Sequence, residues 1–300
     1  MKKQFLSIMA AVTIISNVVP IGKTNAVEAN SKIRIMPLGD SITDGYWTEG
    51  GYRKYLSNNL TEKGYTNIDF VGPNGSDQAT FNYHGETVSY DNNHAGYNGY
   101  SIQNVSNIFV SLNGIKEALQ EGNYMEQYSP DIILLEIGTN DILTFNLIGS
   151  EKRLSGLLDY LLDNMENDGV IFLSTVPYAN MKPVQNELSN LIIKSYNGLV
   201  KKIAKKYSAE GKNVKLVDVN SVVDPSTDLY DELHPNEQGY EKMGNYWTNI
   251  LDSYLNGNED PAAVIEDDSE STDFSINSFG SGFITVMSKI CKFVRSIFNK

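Results

Sequence analysis

Ser41 sits in the run Leu38-Gly39-Asp40-Ser41-Ile42-Thr43-Asp44-Gly45, directly after the mostly apolar Ile33-Arg34-Ile35-Met36. That puts a hydroxyl where a buried strand turns into a loop. A serine hydroxyl attacks an acyl carbon effectively only when a base takes its proton during the attack. His234 is the best candidate base among the three histidines. Asp231 precedes it by three residues, close enough for the carboxylate to accept from Nδ1–H, fix the tautomer and stabilise the imidazolium. His84 and His94 have no carboxylate at matching spacing and read as polar loop residues. A side-chain amide, Asn140, follows another apolar run in Ile137-Gly138-Thr139-Asn140-Asp141. A serine, an amide and an Asp–His pair are the parts of a serine esterase. Each segment also has a plainer reading: Gly-Asp-Ser as a strand-ending turn, and Asp231 to Pro235 as the entry to a helix.

Bringing these groups together requires a particular frame. Short apolar runs at 33–38, 68–71, 132–137, 170–173 and 214–217 carry at most one charge each and do not alternate, as parallel strands covered on both faces do. Segments of helical period lie between and after them, at 51–63, 102–119, 152–167, 184–206 and 237–255. The alternation of strand and helix predicts an α/β fold, a three-layer α/β/α sandwich around a flavodoxin-like five-stranded parallel sheet. In such sheets the reactive groups collect at the carboxyl ends of the strands. Ser41 follows the first run, Asn140 the third, and the 231–234 loop lies between the fifth run and the last helix, so all three converge on one edge.

Four segments, Gly39-Asp40-Ser41, Gly99, Gly138-Thr139-Asn140-Asp141 and Asp231-Glu232-Leu233-His234, resemble in order the sequence blocks of the SGNH or GDSL hydrolases. Gly51-Tyr52-Arg53, Ile68-Asp69-Phe70-Val71-Gly72 and the stretch from His94 to Ile102 resemble more closely the family-three carbohydrate esterases of that superfamily, which act largely as acetylxylan esterases. The resemblance implies the SGNH hydrolase fold, a triad of Ser41, His234 and Asp231, and an oxyanion hole built from the backbone N–H groups of Ser41 and Gly99 and the amide of Asn140. Gly96 is the alternative to Gly99, and Asp141 reads equally well as a structural residue that bonds loop amides. Glu232 departs from the small residue usual in relatives, which bears on loop shape rather than on the Asp-to-His spacing. The Gly-x-Ser-x-Gly elbow of the α/β-hydrolases is absent from the Ser41 segment.

Candidate substrate contacts are Asp40, Trp47, Tyr97, Tyr100 and Phe145. Aromatic side chains in the 72–101 loop and beside the serine suit the apolar faces of sugar rings. Leu143, Phe145 and Leu147 suit a small acyl cap.

The two ends read differently from the middle. Residues 1–29 combine Lys2 and Lys3, an apolar stretch and small residues at Ala26 and Ala29, the pattern of a secretory signal peptide. Residues 30–256 form the expected esterase domain. An acidic linker at 257–277 expected to be disordered, and a basic amphipathic tail at 278–300 with Phe283, Met287, Ile290, Val294 and Ile297 at helical spacing, follow it. The net charge of −13 falls to −15 without residues 1–29, which hold three lysines and one glutamate. So acidic a chain argues against a nucleic-acid partner. A single cysteine, Cys291, supplies neither a disulfide framework nor a Cys-based metal site, and no metal or other cofactor is expected.

These readings predict a secreted or extracellular enzyme, with a C-terminal tail suited to contact with a membrane surface or cell wall, that removes O-acetyl groups from an acetylated polysaccharide such as xylan. A lipase or lysophospholipase on the same fold is the nearest alternative, and a non-catalytic carbohydrate-binding or adhesion module is the alternative of another class.

Overall fold

The computed structural model describes residues 32–258 apart from 107–109, 145, 167 and 181–184. The expected signal peptide, the basic tail and all but the first two residues of the acidic linker lie outside the described residues.

The chain runs through β1 (Ile33–Gly39), α1 (Ser41–Asp44), α2 (Gly51–Glu62), β2 (Ile68–Phe70), β3 (Ala79–Tyr83), β4 (Glu86–Tyr90) and β5 (Ala95–Gly96). It continues through β6 (Val105–Ser106), β7 (Ser111–Leu112), α3 (Ile115–Glu121), α4 (Tyr124–Tyr128), β8 (Ile132–Glu136), α5 (Thr139–Leu143) and α6 (Ser150–Asp163). Then come β9 (Val170–Ser174), α7 (Gln185–Ala209), β10 (Val214–Val217) and α8 (Glu237–Leu255). The main sheet has the order β2-β1-β8-β9-β10, all parallel, which is the flavodoxin-like arrangement. A sixth strand, the two-residue β5, pairs with the carboxyl end of β1 through Leu38 with Ala95 and Gly39 with Gly96.

Period-two alternation divides the sheet residues between two cores. Met36, Leu38, Ile133, Leu135, Ile171 and Leu173 face a core completed by α3, α4, α6 and α7. Ile35, Ile132, Leu134, Val170 and Phe172 face the other, completed by α2 and α8. Each large apolar side chain buried there contributes about 1.5–3 kcal/mol, and α8 alone buries Tyr240, Met243, Trp247, Ile250 and Leu251. With both faces covered, β8 and β9 are buried along their whole length.

Two expectations need correction. The helix expected over 102–119 forms only at Ile115–Glu121. The preceding backbone bonds elsewhere: Ile102 N–H to the Asp141 carboxylate at 2.9 Å and Ser101 N–H to the Asn113 carbonyl at 2.9 Å. Gly114 is extended, and a Cβ there would lie 2.2 Å from the Gln103 carbonyl carbon. The 72–101 segment, read as a loop, contains the antiparallel hairpin β3–β4, turned by His84 and Gly85, both with positive φ.

Candidate active site

The nucleophile turn is built on close packing. At Gly39, the last residue of β1, a Cβ would lie 2.1 Å from the Glu136 carbonyl oxygen and 2.4 Å from Thr43 Oγ1, so no side chain fits. Asp40 caps α1 by accepting the Ile42 N–H at 3.0 Å. Ser41 opens the helix, where its own N–H has no intrahelical acceptor. Arg53, buried in α2, donates from Nε to the Thr43 carbonyl at 2.9 Å, from one terminal nitrogen to the Asp44 carbonyl at 3.1 Å, and from the other to the Asn92 carbonyl at 2.7 Å. One guanidinium thus clamps the turn to the loop before β5.

Ser41 Oγ is 2.9 Å from His234 Nε2, and His234 Nδ1 is 2.9 Å from Asp231 Oδ2. With the proton on Nδ1, the ring donates to the carboxylate and Nε2 is free to accept from the hydroxyl. The other oxygen, Asp231 Oδ1, accepts the backbone N–H groups of Leu233 and His234, both at 2.7 Å. Burial alone would raise the Asp231 pKa. The His234 ring, its charge and the two backbone donors outweigh burial and hold it at about 2. The loop is closed by Tyr230 N–H donating to the His234 carbonyl at 2.8 Å, and Asn236 then caps α8. Glu232 takes part through its backbone, its carbonyl accepting the Asn180 N–H at 2.8 Å.

Asn140, buried in α5, donates one amide N–H to the Tyr100 carbonyl at 2.8 Å, which leaves its second N–H for another acceptor. Gly99 holds the third position of a turn closed by Tyr100 N–H to the Tyr97 carbonyl, and its φ of 80° is what a type II turn requires there. Tyr97 N–H in turn donates to the Gly39 carbonyl at 3.0 Å, tying this turn to the end of β1. The alternative donor Gly96 is already committed, its N–H donating to His94 Nδ1 at 3.0 Å. Asp141 accepts the Ile102 N–H and pairs with Arg153 at 3.2 Å, fastening α5 to the segment that carries Tyr100. If the free N–H of Asn140 serves a developing oxyanion, Asn140→Ala lowers kcat by about 10²-fold or more. Steady-state kinetics on a soluble ester checks this, and an unchanged kcat removes Asn140 from the site.

The candidate substrate contacts separate. Asp40 is fully buried and serves as a helix cap, so it has no surface to offer a substrate. Tyr97 and Tyr100 stack at 4.9 Å and pack against the core rather than standing free. Leu143 is buried and Leu147 packs on the same core, while Phe145 lies outside the described residues. Phe81, Tyr83 and Tyr90 form an edge-on cluster against Tyr55 and one another, which is structural packing. Among the described aromatic candidates, Trp47 alone is well exposed. His94 is buried, and burial together with Arg53 lowers its pKa to about 2, so it is a neutral acceptor.

Glu136, the last residue of β8, was not singled out by sequence. It is fully buried, and neither carboxyl oxygen has a hydrogen-bond partner among the described residues. Burial and the nearby Asp40 carboxylate raise its pKa well above the ordinary range, and Tyr52 and Tyr240 also face it. A carboxyl whose folded pKa is raised contributes stability below its unfolded pKa, near about 4.3, and loses it as pH rises through the folded value. Glu136→Gln keeps the volume and removes the titration. The gap in thermal midpoint between variant and parent should therefore shift in the variant's favour from pH 6 to pH 9, and a gap independent of pH would show that Glu136 does not titrate there.

Among the described residues, no group of three or more His, Cys, Asp or Glu is placed to hold a metal ion. A hydroxyl, an imidazole and a carboxylate hydrogen-bonded in line at the carboxyl edge of a parallel sheet define the class of serine hydrolases on a flavodoxin-like sandwich. A model of the GDSL-like Lipase/Acylhydrolase family matches residues 35–247, and the chain belongs to that family. It is 54% identical over 234 residues to a multidomain esterase of Ruminococcus flavefaciens, covering 78% of this chain and 30% of that protein. The chain therefore spans less than a third of that relative's length. Among solved structures, a Clostridium thermocellum family 3 carbohydrate esterase matches with a TM-score of 0.57 and 28% identity, covering 76% of this chain and 98% of the other. A family 3 carbohydrate esterase from Talaromyces cellulolyticus, 18% identical with a TM-score of 0.51 over 75% of this chain and 99% of its own, shares the fold. The chain is thus a member of the GDSL-like lipase/acylhydrolase family whose fold resembles that of a family 3 carbohydrate esterase.

Proposed function

We propose that this esterase acts outside the cell and removes O-acetyl groups from a polysaccharide such as xylan through an acyl-enzyme at Ser41. The observation that carries the chemistry is the hydrogen-bonded line from Ser41 Oγ through His234 to Asp231. Likeness to a family 3 carbohydrate esterase supports the substrate class. The order of charged, apolar and small residues in 1–29 supports secretion.

In this reading Ser41 Oγ attacks the acetyl carbonyl carbon while its proton passes to His234 Nε2. The negative charge on the carbonyl oxygen is met by the N–H groups of Ser41 and Gly99 and the free amide N–H of Asn140. Collapse breaks the ester C–O bond, and His234 returns the proton to the departing sugar hydroxyl. Water then attacks the acyl-enzyme by the same route, giving acetate and free serine. Asp231 keeps Nδ1 protonated throughout.

The test is a series of p-nitrophenyl esters beside acetate release from acetylated xylan. Acetyl should be preferred to butyryl and octanoyl barely accepted, with acetate released from the polymer. An acyl groove would add up to about 0.8 kcal/mol for each buried CH₂. Rising kcat/KM toward long chains, without acetate release, would replace this reading by a lipid esterase.

A further inference from the structure

Two of the most exposed large side chains in the described structure meet beside the triad. Trp47 is 51% exposed and Tyr230 is 60% exposed, and their rings stack with centroids 5.1 Å apart and planes at 24°. Trp47 has a φ of 67°, costly for a bulky residue, at the third position of the turn closed by Thr48 N–H to the Gly45 carbonyl at 2.9 Å.

Both residues are tied to the triad, Trp47 through its ring and Tyr230 through its backbone. Trp47 Nε1–H donates at 3.2 Å to Asp231 Oδ2, the oxygen that also receives His234 Nδ1–H. Tyr230 immediately precedes Asp231, and its N–H holds the His234 carbonyl. Tyr46 fills the space between, 4.9 Å from the Trp47 ring and 4.7 Å from the His234 ring.

The chemistry says which part of a substrate lies there. The acyl oxygen must sit at the Ser41 and Asn140 donors, whereas the departing oxygen must lie within reach of His234 Nε2 to be protonated. Rings grouped around the imidazole and its carboxylate therefore border the alcohol. Flat aromatic faces with a polar edge suit the C–H face and hydroxyls of a pyranose. We infer that Trp47 and Tyr230 form a stacking subsite for a sugar ring on the alcohol side of the scissile ester, with the Trp47 indole N–H also positioning Asp231. This inference rests on the polysaccharide reading above.

The test uses the full chain and two acetate esters: an acetylated xylo-oligosaccharide, and ethyl acetate, whose alcohol is too small to span a ring. Tyr230→Ala should lower the ratio of kcat/KM on the saccharide to that on ethyl acetate by about 3- to 10-fold. Trp47→Phe keeps a ring and removes the N–H, so kcat should fall on both esters together while the ratio moves far less. An unchanged ratio in natively folded Tyr230→Ala protein would overturn the subsite.

The polysaccharide reading fails separately, if the parent protein hydrolyses ethyl acetate but releases no acetate from the saccharide. Binding then decides, because the other tryptophan of the chain, Trp247, is fully buried and Trp47 dominates any ligand response in fluorescence. Titration with unacetylated xylo-oligosaccharide should give a saturable emission change whose affinity drops in Tyr230→Ala. No emission change, or one indifferent to Tyr230→Ala, would overturn the subsite.

Discussion

Ser41→Ala abolishes ester hydrolysis, with kcat falling by about 10⁴- to 10⁶-fold while the protein stays folded. The size follows from the loss of the atom that makes the covalent bond, because water must then attack without a nucleophile held against the carbonyl. The donors around the carbonyl oxygen remain and sustain the residue of catalysis above the uncatalysed rate. Structural cost is small. Among the described residues, Ser41 Oγ hydrogen-bonds only to His234 Nε2, and the turn itself is held by Asp40, by the Gly45 N–H on the Ser41 carbonyl and by Arg53. Circular dichroism and thermal melting should match the parent, and turnover of a soluble acetate ester should vanish. Activity within about tenfold of the parent, in folded protein, would rule out the covalent route.

Strand-end positions were legible because a buried parallel strand has a one-dimensional signature, an apolar run with no alternation. Ser41, Asn140 and the 231–234 loop could therefore be assigned to one edge without knowledge of any contact. The spacing of Asp231 and His234 carried more, since three residues of loop suffice for one carboxylate to take both the ring N–H and two backbone N–H groups. Side-chain surroundings were not legible in the same way. Phe81, Tyr83 and Tyr90 read as sugar-facing because aromatic residues in a polar segment have no period that distinguishes a free face from a hairpin packed on Tyr55. The alternation of Phe81 and Tyr83, then Val88 and Tyr90, about His84-Gly85 was the available signal for that hairpin. The 102–119 segment has apolar residues at helical spacing, but its backbone is captured by the Asp141 carboxylate at the Ile102 N–H and by the Ser101 N–H at the Asn113 carbonyl. Arg53 and Glu136 could not be assigned from sequence, because their meaning comes from long-range neighbours: Arg53 from Thr43, Asp44 and Asn92, Glu136 from Asp40 across the β1–β8 pairing.

Asp231→Asn should be nearly as damaging to catalysis, lowering kcat by about 10⁴-fold. The carboxylate accepts four hydrogen bonds: Leu233 and His234 N–H on Oδ1, and the His234 ring and Trp47 indole on Oδ2. An amide oxygen can keep the two backbone donors, but the NH₂ group then faces the imidazole. His234 must turn Nδ1 into an acceptor, which moves the proton to Nε2, where it faces Ser41 Oγ and cannot receive the hydroxyl proton. The substitution also alters stability with a defined sign. Asp231 has its pKa lowered to about 2, so its contribution is complete above the unfolded value of about 3.9 and is lost as pH falls through about 2. The variant should accordingly melt below the parent at neutral pH, with the gap narrowing from about pH 4 downward as the parent's carboxylate takes up its proton. Kinetics and melts on the same protein separate two roles. A large loss of kcat with little change in KM, together with a gap that closes in acid, is expected of a carboxylate that orients the base. A loss of kcat smaller than about tenfold would mean that His234 keeps its working tautomer without Asp231, and the acid would then be a structural brace of the loop rather than a member of the catalytic line.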